Sequence, residues 1–264
     1  MPFARFNGSV HHYVVSRATN KPSLVFANSL GSDLRIWQGV VECLRDHFQL
    51  IGYDLRGHGL SEAAAPPYTA ADLAQDLISL LDLLEIEQAA ICGVSVGGLI
   101  AQAAALDHRE RVRALVLCDT GARIGSAESW QQRIDKVRDT SVAALVPMTM
   151  ERWFSTGFRE RYPADVHGYS IMLGQSSVAG YLGVCAALRD ADFRRAISQV
   201  KIPTLVLCGA EDIATPPALG RELAALIPGA RFSLIENAGH LTCVEQPEAV
   251  AQRIIKFFRE VQIV

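Results

Sequence analysis

Ala90-Ile91-Cys92-Gly93-Val94-Ser95-Val96-Gly97-Gly98-Leu99 is a short apolar run that enters Gly-x-Ser-x-Gly and leaves it on residues that read as the start of a helix. The pattern predicts a nucleophile elbow. Ser95 would sit on a tight strand-to-helix turn, with Gly93 and Gly97 at the two places where a side chain would collide. Such a turn presents the hydroxyl, and the N–H groups that open the helix offer partial positive charge to a developing oxyanion. Glycine and serine are common, so the strand before and the helix after are the context that gives the pattern its meaning.

A serine nucleophile needs a base and an acid that orients the base, and with this elbow the expected chain order is Ser, then Asp or Glu, then His. After the apolar run Thr204 to Cys208 comes Gly209-Ala210-Glu211-Asp212, followed by Pro216 and Pro217, which marks a loop leaving a strand. Asp212 is the expected acid and Glu211 its competitor, whose plainer reading is a solvated loop charge. After the next apolar run, Arg231 to Ile235, the chain reads Glu236-Asn237-Ala238-Gly239-His240. His240 is the expected general base, on a loop downstream of both serine and acid. His11 and His12 fall in an N-terminal hairpin pattern, His47 and His108 in polar connections and His167 in the middle segment.

Apolar runs alternate with helical patterns, as parallel strands covered by helices on both faces do. Strands are expected near 10–16, 23–27, 49–53, 89–92, 114–117, 204–208 and 231–235. Tyr68 to Leu84 reads as an amphipathic helix with Leu73, Leu77, Leu80, Leu81 and Leu84 on one face and Thr69 and Asp72 at its start. Val244 to Val261 reads as a terminal helix. From 119 to about 200 helical patterns occur without a convincing strand. The expected organisation is therefore a core of 1–119 and 201–264 with a helical cap inserted at 120–200, above the ends of the strands where the site residues converge.

The chain has 264 residues, half of them hydrophobic, enough for one sizeable core. A formal net charge of −3 leaves no electrostatic footprint for nucleic acid or an anionic membrane. Six cysteines without a Cys-x-x-Cys pair read as reduced core thiols. Neither a leader's apolar run nor a membrane-length segment is found, and a soluble cytoplasmic protein acting on a small molecule is expected. No His or Cys spacing signals a metal, and no cofactor is expected.

In these residues the chain resembles the α/β-hydrolase superfamily over nearly its whole length. Asp54-Leu55-Arg56-Gly57-His58-Gly59-Leu60-Ser61 is similar to a structural loop common in that superfamily, which makes His58 a weak rival to His240. The resemblance implies an α/β-hydrolase fold with a mostly parallel sheet, and its Gly-x-x-Asp spacing favours Asp212 over Glu211. It also implies an oxyanion hole from two backbone N–H groups. Val96 supplies one, as the residue after the nucleophile, and Leu30 the other, from the loop Asn28-Ser29-Leu30-Gly31-Ser32. Members often carry His-Gly where this chain has Asn28-Ser29, a departure that leaves a backbone N–H free to point inward.

A narrower resemblance lies in the cap. Gln132 to Arg138, Met150 to Ser155 and the Asn-Ser-Leu-Gly loop resemble 3-oxoadipate enol-lactonases. This implies opening of a small carboxylated enol-lactone to its oxo diacid, with Arg133 and Trp153 at the substrate. A pendant carboxylate in an apolar pocket needs a partner, and guanidinium binds it in two-pronged fashion. Arg133 as a solvated cap charge and Trp153 as cap packing are the plainer readings, and Arg138 and Arg152 are rivals for the carboxylate. A carboxylesterase or cofactor-free perhydrolase, a carbon-carbon bond hydrolase and a low-turnover ligand receptor remain alternatives. A dehalogenase is disfavoured, because its elbow needs a carboxylate where Ser95 stands.

Overall fold

The computed structural model describes residues 2–16, 18 and 20–263. Eight strands form one sheet: β1 (Phe3–Phe6), β2 (Ser9–Val15), β3 (Ser23–Ala27), β4 (Gln49–Tyr53), β5 (Ala89–Val94), β6 (Val112–Cys118), β7 (Thr204–Gly209) and β8 (Arg231–Ile235). Their order is β1-β2-β4-β3-β5-β6-β7-β8. β1 pairs antiparallel with β2, and β2 with β4; every later pairing is parallel. β5 and β7 are buried along their whole length, as expected of central parallel strands covered on both faces.

The opening strand read from the sequence is the second arm of a hairpin. Asn7 and Gly8 both have positive φ, 47° and 81°, and make the two-residue turn between β1 and β2. A turn of that handedness matches the twist of the strands it joins, which is why Asn-Gly is favoured there.

The helices are α1 (Gln38–Leu44), α2 (Ala70–Leu83), α3 (Val96–Asp107), α4 (Ala127–Asp139), α5 (Val146–Trp153), α6 (Thr156–Arg161), α7 (Pro163–Gly174), α8 (Val178–Asp190), α9 (Pro217–Leu226), α10 (Thr242–Glu245) and α11 (Pro247–Glu260). Among the described residues, the stretch between β6 and β7 carries α4 to α8 and no strand. The terminal helix divides in two at Gln246, because Pro247 cannot donate an amide hydrogen bond and instead opens α11. α11 then buries Val250, Ala251, Ile254, Phe257 and Phe258 on one stripe. No single helix among the described residues is long and apolar enough to cross a membrane. Of the six free cysteines, five are buried and Cys43 is exposed, against the expectation of core thiols throughout.

α2 starts as its sequence predicts. Thr69 Oγ1 accepts the Asp72 N–H, and the Asp72 carboxylate accepts the Thr69 N–H in return, a reciprocal capping box. Thr69→Ala removes the cap and is expected to cost about 0.5–2 kcal/mol, read as a lower urea midpoint with an unchanged slope.

Candidate active site

Ser95 stands between β5 and α3 with φ 59° and ψ −119°, a backbone conformation rare for a residue with a side chain. The glycines around it are there because nothing larger fits. A Cβ on Gly93 would strike the Gly97 carbonyl, and one on Gly97 would strike the Ala27 carbonyl of β3. The turn is fixed by hydrogen bonds to the end of β6: Ser95 N–H donates to the Cys118 carbonyl at 3.0 Å, and Thr120 Oγ1 donates to the Ser95 carbonyl at 2.8 Å.

The loop after β7 carries Asp212 and the loop after β8 carries His240, both buried. His240 Nδ1 lies 2.9 Å from Asp212 Oδ2, and Thr215 Oγ1 donates to that same oxygen at 2.6 Å. Asp212 Oδ1 accepts the N–H groups of Ala214 and Thr215 at 2.7 and 2.9 Å. Glu211 points to solvent, which removes it as the partner of the imidazole. Burial works against the Asp212 charge, but the His240 charge and this set of donors hold its carboxyl below the usual aspartate range. Burial likewise works against a charged His240, and the Asp212 carboxylate overcomes it, so the imidazole sits above its ordinary 6.5.

Ser95, His240 and Leu30 line one cavity of about 220 Å³, with Ser29, Thr149, Arg133, Arg152, Trp153 and Tyr181 among the other lining residues. That volume is below the roughly 300–1,000 Å³ of drug-sized ligand pockets and suits a small substrate. Ser95 Oγ makes no hydrogen bond to His240 among the described residues; such contacts are often long until the reacting group draws them tight. The amide N–H groups of Leu30 and Val96 have no acceptor among the described residues either. Asn28, the departure noted in the sequence, pins the Leu30 loop: its Nδ2 donates to the Tyr53 carbonyl at 2.7 Å and its Oδ1 accepts from Trp37 Nε1 at 3.1 Å. His58 is buried away from this cavity, 3.2 Å from the Arg56 carbonyl.

The cap supplies the cations. Arg133 of α4 and Arg152 of α5 are both half-buried and face the cavity without a carboxylate partner among the described residues. Arg133 Nη1 donates to Tyr181 Oη at 3.3 Å, and its guanidinium lies over the Trp130 ring at 5.2 Å. Burial, then repulsion from Arg133, holds the Arg152 guanidinium below its ordinary range. Arg138 is exposed, 3.8 Å from Asp135, and drops out as a rival. Trp153 is at once cap packing and cavity wall. Its carbonyl also accepts the His240 and Leu241 N–H groups at 3.0 and 3.1 Å. Glu245 adds a second tie, accepting from Gly239 N–H at 2.8 Å and from Ser155 Oγ at 2.5 Å. Arg152 stands in the sequence only as a rival to Arg133, and Tyr181 and Glu245 are brought here by contacts far apart in sequence that no local pattern announces.

Asp119, Cys208 and Asp212 bring one donor atom each within 4.8 Å of one another. They make a poor metal centre: burial pushes the Cys208 thiol far up, and both carboxylates are engaged in hydrogen bonds within the fold. The arrangement has the parts for acyl transfer: a strained serine, an imidazole backed by a carboxylate, and two free amides beside an arginine-lined pocket.

A family model described as alpha/beta hydrolase fold matches residues 22–247. The chain is 39% identical to 3-oxoadipate enol-lactonase 2 of Acinetobacter baylyi over 90% of its length and 89% of that protein. The crystal structure of the enol-lactonase from Burkholderia xenovorans LB400 superposes with a TM-score of 0.94 at 39% identity, covering 98% of this chain and all of that one. A thermophilic esterase from Thermogutta terrifontis, solved with malate bound, superposes with a TM-score of 0.91 at 28% identity over 98% of this chain and 97% of that one.

The His240 ring is expected to titrate, by NMR of its imidazole protons, with a midpoint above 6.5. Asp212→Asn leaves burial as the dominant influence, and the midpoint should fall below that value.

Proposed function

The chain belongs to the alpha/beta hydrolase family, and within it we propose that this protein opens a small enol-lactone bearing a carboxylate, of the 3-oxoadipate enol-lactone class, to its oxo diacid. The observation that carries the reading is the pair of guanidinium groups, Arg133 and Arg152, facing the same cavity as Ser95 and His240, a cavity that no acidic side chain among the described residues lines. Unpaired cations half out of water are costly, and a carboxylated substrate offsets that cost. The 39% identity to an enol-lactonase supports the same substrate class.

Ser95 attacks the lactone carbonyl while His240 takes its proton and Asp212 holds the imidazole in the required tautomer. The Leu30 and Val96 amides receive the oxyanion. Collapse expels an enolate, which takes the proton from His240 and stays attached because acyl group and leaving group belong to one molecule. Water activated by His240 then releases the diacid. The free cysteines suit a protein acting in the cytoplasm, within aromatic-compound breakdown.

The test is a substrate panel in which the carboxylated enol-lactone is compared with neutral lactones and simple esters. Preference for the carboxylated lactone is expected; preference for neutral esters would instead establish a general carboxylesterase, the reading that the Thermogutta esterase favours. Ser95→Ala should lose about 10³-fold or more in turnover while keeping the fold. Arg133→Met and Arg152→Met should each weaken kcat/KM on the carboxylated lactone by about 2–5 kcal/mol and spare a neutral ester. Equal losses on both substrates would remove that arginine from carboxylate recognition.

A further inference from the structure

The carboxyl end of β6 touches each of the three loops that carry Ser95, Asp212 and His240. Cys118 and Thr120 hold the Ser95 turn through its N–H and its carbonyl. Between them stands Asp119, fully buried, in a left-handed backbone conformation with φ 47°. Its Oδ1 accepts the Gly209 N–H at 2.8 Å, at the head of the Asp212 loop. Its Oδ2 lies 2.6 Å from Thr242 Oγ1, two residues beyond His240. One oxygen of Asp119 also comes within 4.8 Å of one of Asp212. The charged groups that act on it are Asp212 and His240, and the thiols of Cys118, Cys208 and Cys243 lie close enough to feel its charge.

We infer that Asp119 is a positioning residue of the triad: a carboxyl that keeps its proton at neutral pH, tying the acid loop to the base loop without placing a second negative charge beside Asp212. This rests on the reading of Ser95, Asp212 and His240 as the triad. Two carboxyl groups buried this close do not ionise together, and Asp212 has claimed the imidazole and the better donors. In its protonated form Asp119 can donate to Thr242 Oγ1 across the 2.6 Å contact and still accept from Gly209. Burial, then repulsion from Asp212, pushes its carboxyl up to about 8, against the His240 charge and the two hydrogen bonds.

The sign of the consequence follows from linkage. In the unfolded chain Asp119 loses its proton near about 3.9, while in the folded protein it keeps it until about 8. Across that interval the folded state binds the extra proton, so stability falls as pH rises. Asp119→Asn retains an acceptor for Gly209 and an N–H donor for Thr242, and has no proton to lose.

The experiment follows thermal unfolding and hydrolysis of p-nitrophenyl acetate between about pH 5 and pH 9 for the wild type and D119N, with D119A beside them. The melting temperature of D119N relative to wild type should rise steadily from pH 5 to pH 8, and the bend near pH 8 in the wild-type log kcat/KM profile should vanish in D119N. D119A, which removes the tie, should lower kcat at least tenfold at every pH with KM within twofold. A difference in melting temperature that does not vary with pH, or a bend that survives in D119N, overturns the inference. The unfolding measurement needs no substrate, so it decides on Asp119 even where the enol-lactone proves not to be turned over.

Discussion

The close approach of α3 to β3 beneath Ser95 is the constraint from which the site follows. With no Cβ at Gly97 its Cα can lie against the Ala27 carbonyl, and only then can the chain reverse from β5 into α3 in a single step. Ser95 is the residue that absorbs the reversal, and a backbone in that region costs about 1–3 kcal/mol. It persists because the surroundings over-determine it. Both its N–H and its carbonyl are bonded to the end of β6, and α3 is buried along nearly its whole length.

Charge is distributed on the same logic of compensation. Deep in the core, Asp212 and His240 are each unfavourable alone and acceptable as a pair, with each Asp212 carboxylate oxygen accepting two hydrogen bonds. At the cap, the compensation is left incomplete. Arg133 keeps its geometry through Tyr181 and Trp130, neutral partners that orient a guanidinium without neutralising it. A site that fixes direction and leaves charge unmatched is prepared for an anion.

Much of this was legible in the residues, and the exceptions share a cause. The elbow and the cap at the start of α2 are local patterns whose meaning does not depend on distant chain, while Asp212 is preferred to Glu211 only through the resemblance to the superfamily's spacing. The Asn7-Gly8 hairpin turn is also local, a dipeptide that favours positive φ beside a strand of only four residues. Pro247 announces the break before α11, while the apolar period runs across it from Val244 to Val261. Asp119 is different: it reads as an ordinary residue after a strand, and its partners Gly209 and Thr242 lie 90 and 123 positions away. Arg152 could not be told from Arg138 until the cap showed which one faces the cavity and which one faces water.

The tie between cap and base loop has a consequence for how such a cap can vary. His240 and Leu241 are held through the Trp153 carbonyl, a main-chain group present whatever residue occupies the position. The contact therefore requires that α5 end at this place and places little demand on which side chains α5 presents to the cavity. Glu245, the second tie, belongs to α10 and not to the cap, and it reaches the cap through the Ser155 N–H and hydroxyl. Cavity-facing side chains such as Arg133 and Arg152, the recognition residues of the proposed reading, are thereby free to change while the imidazole stays in register. A cap built this way separates two demands that compete when one side chain must serve both: the Trp153 main chain holds the base directly, and the cavity-facing side chains of α4 and α5 are left to what enters the cavity.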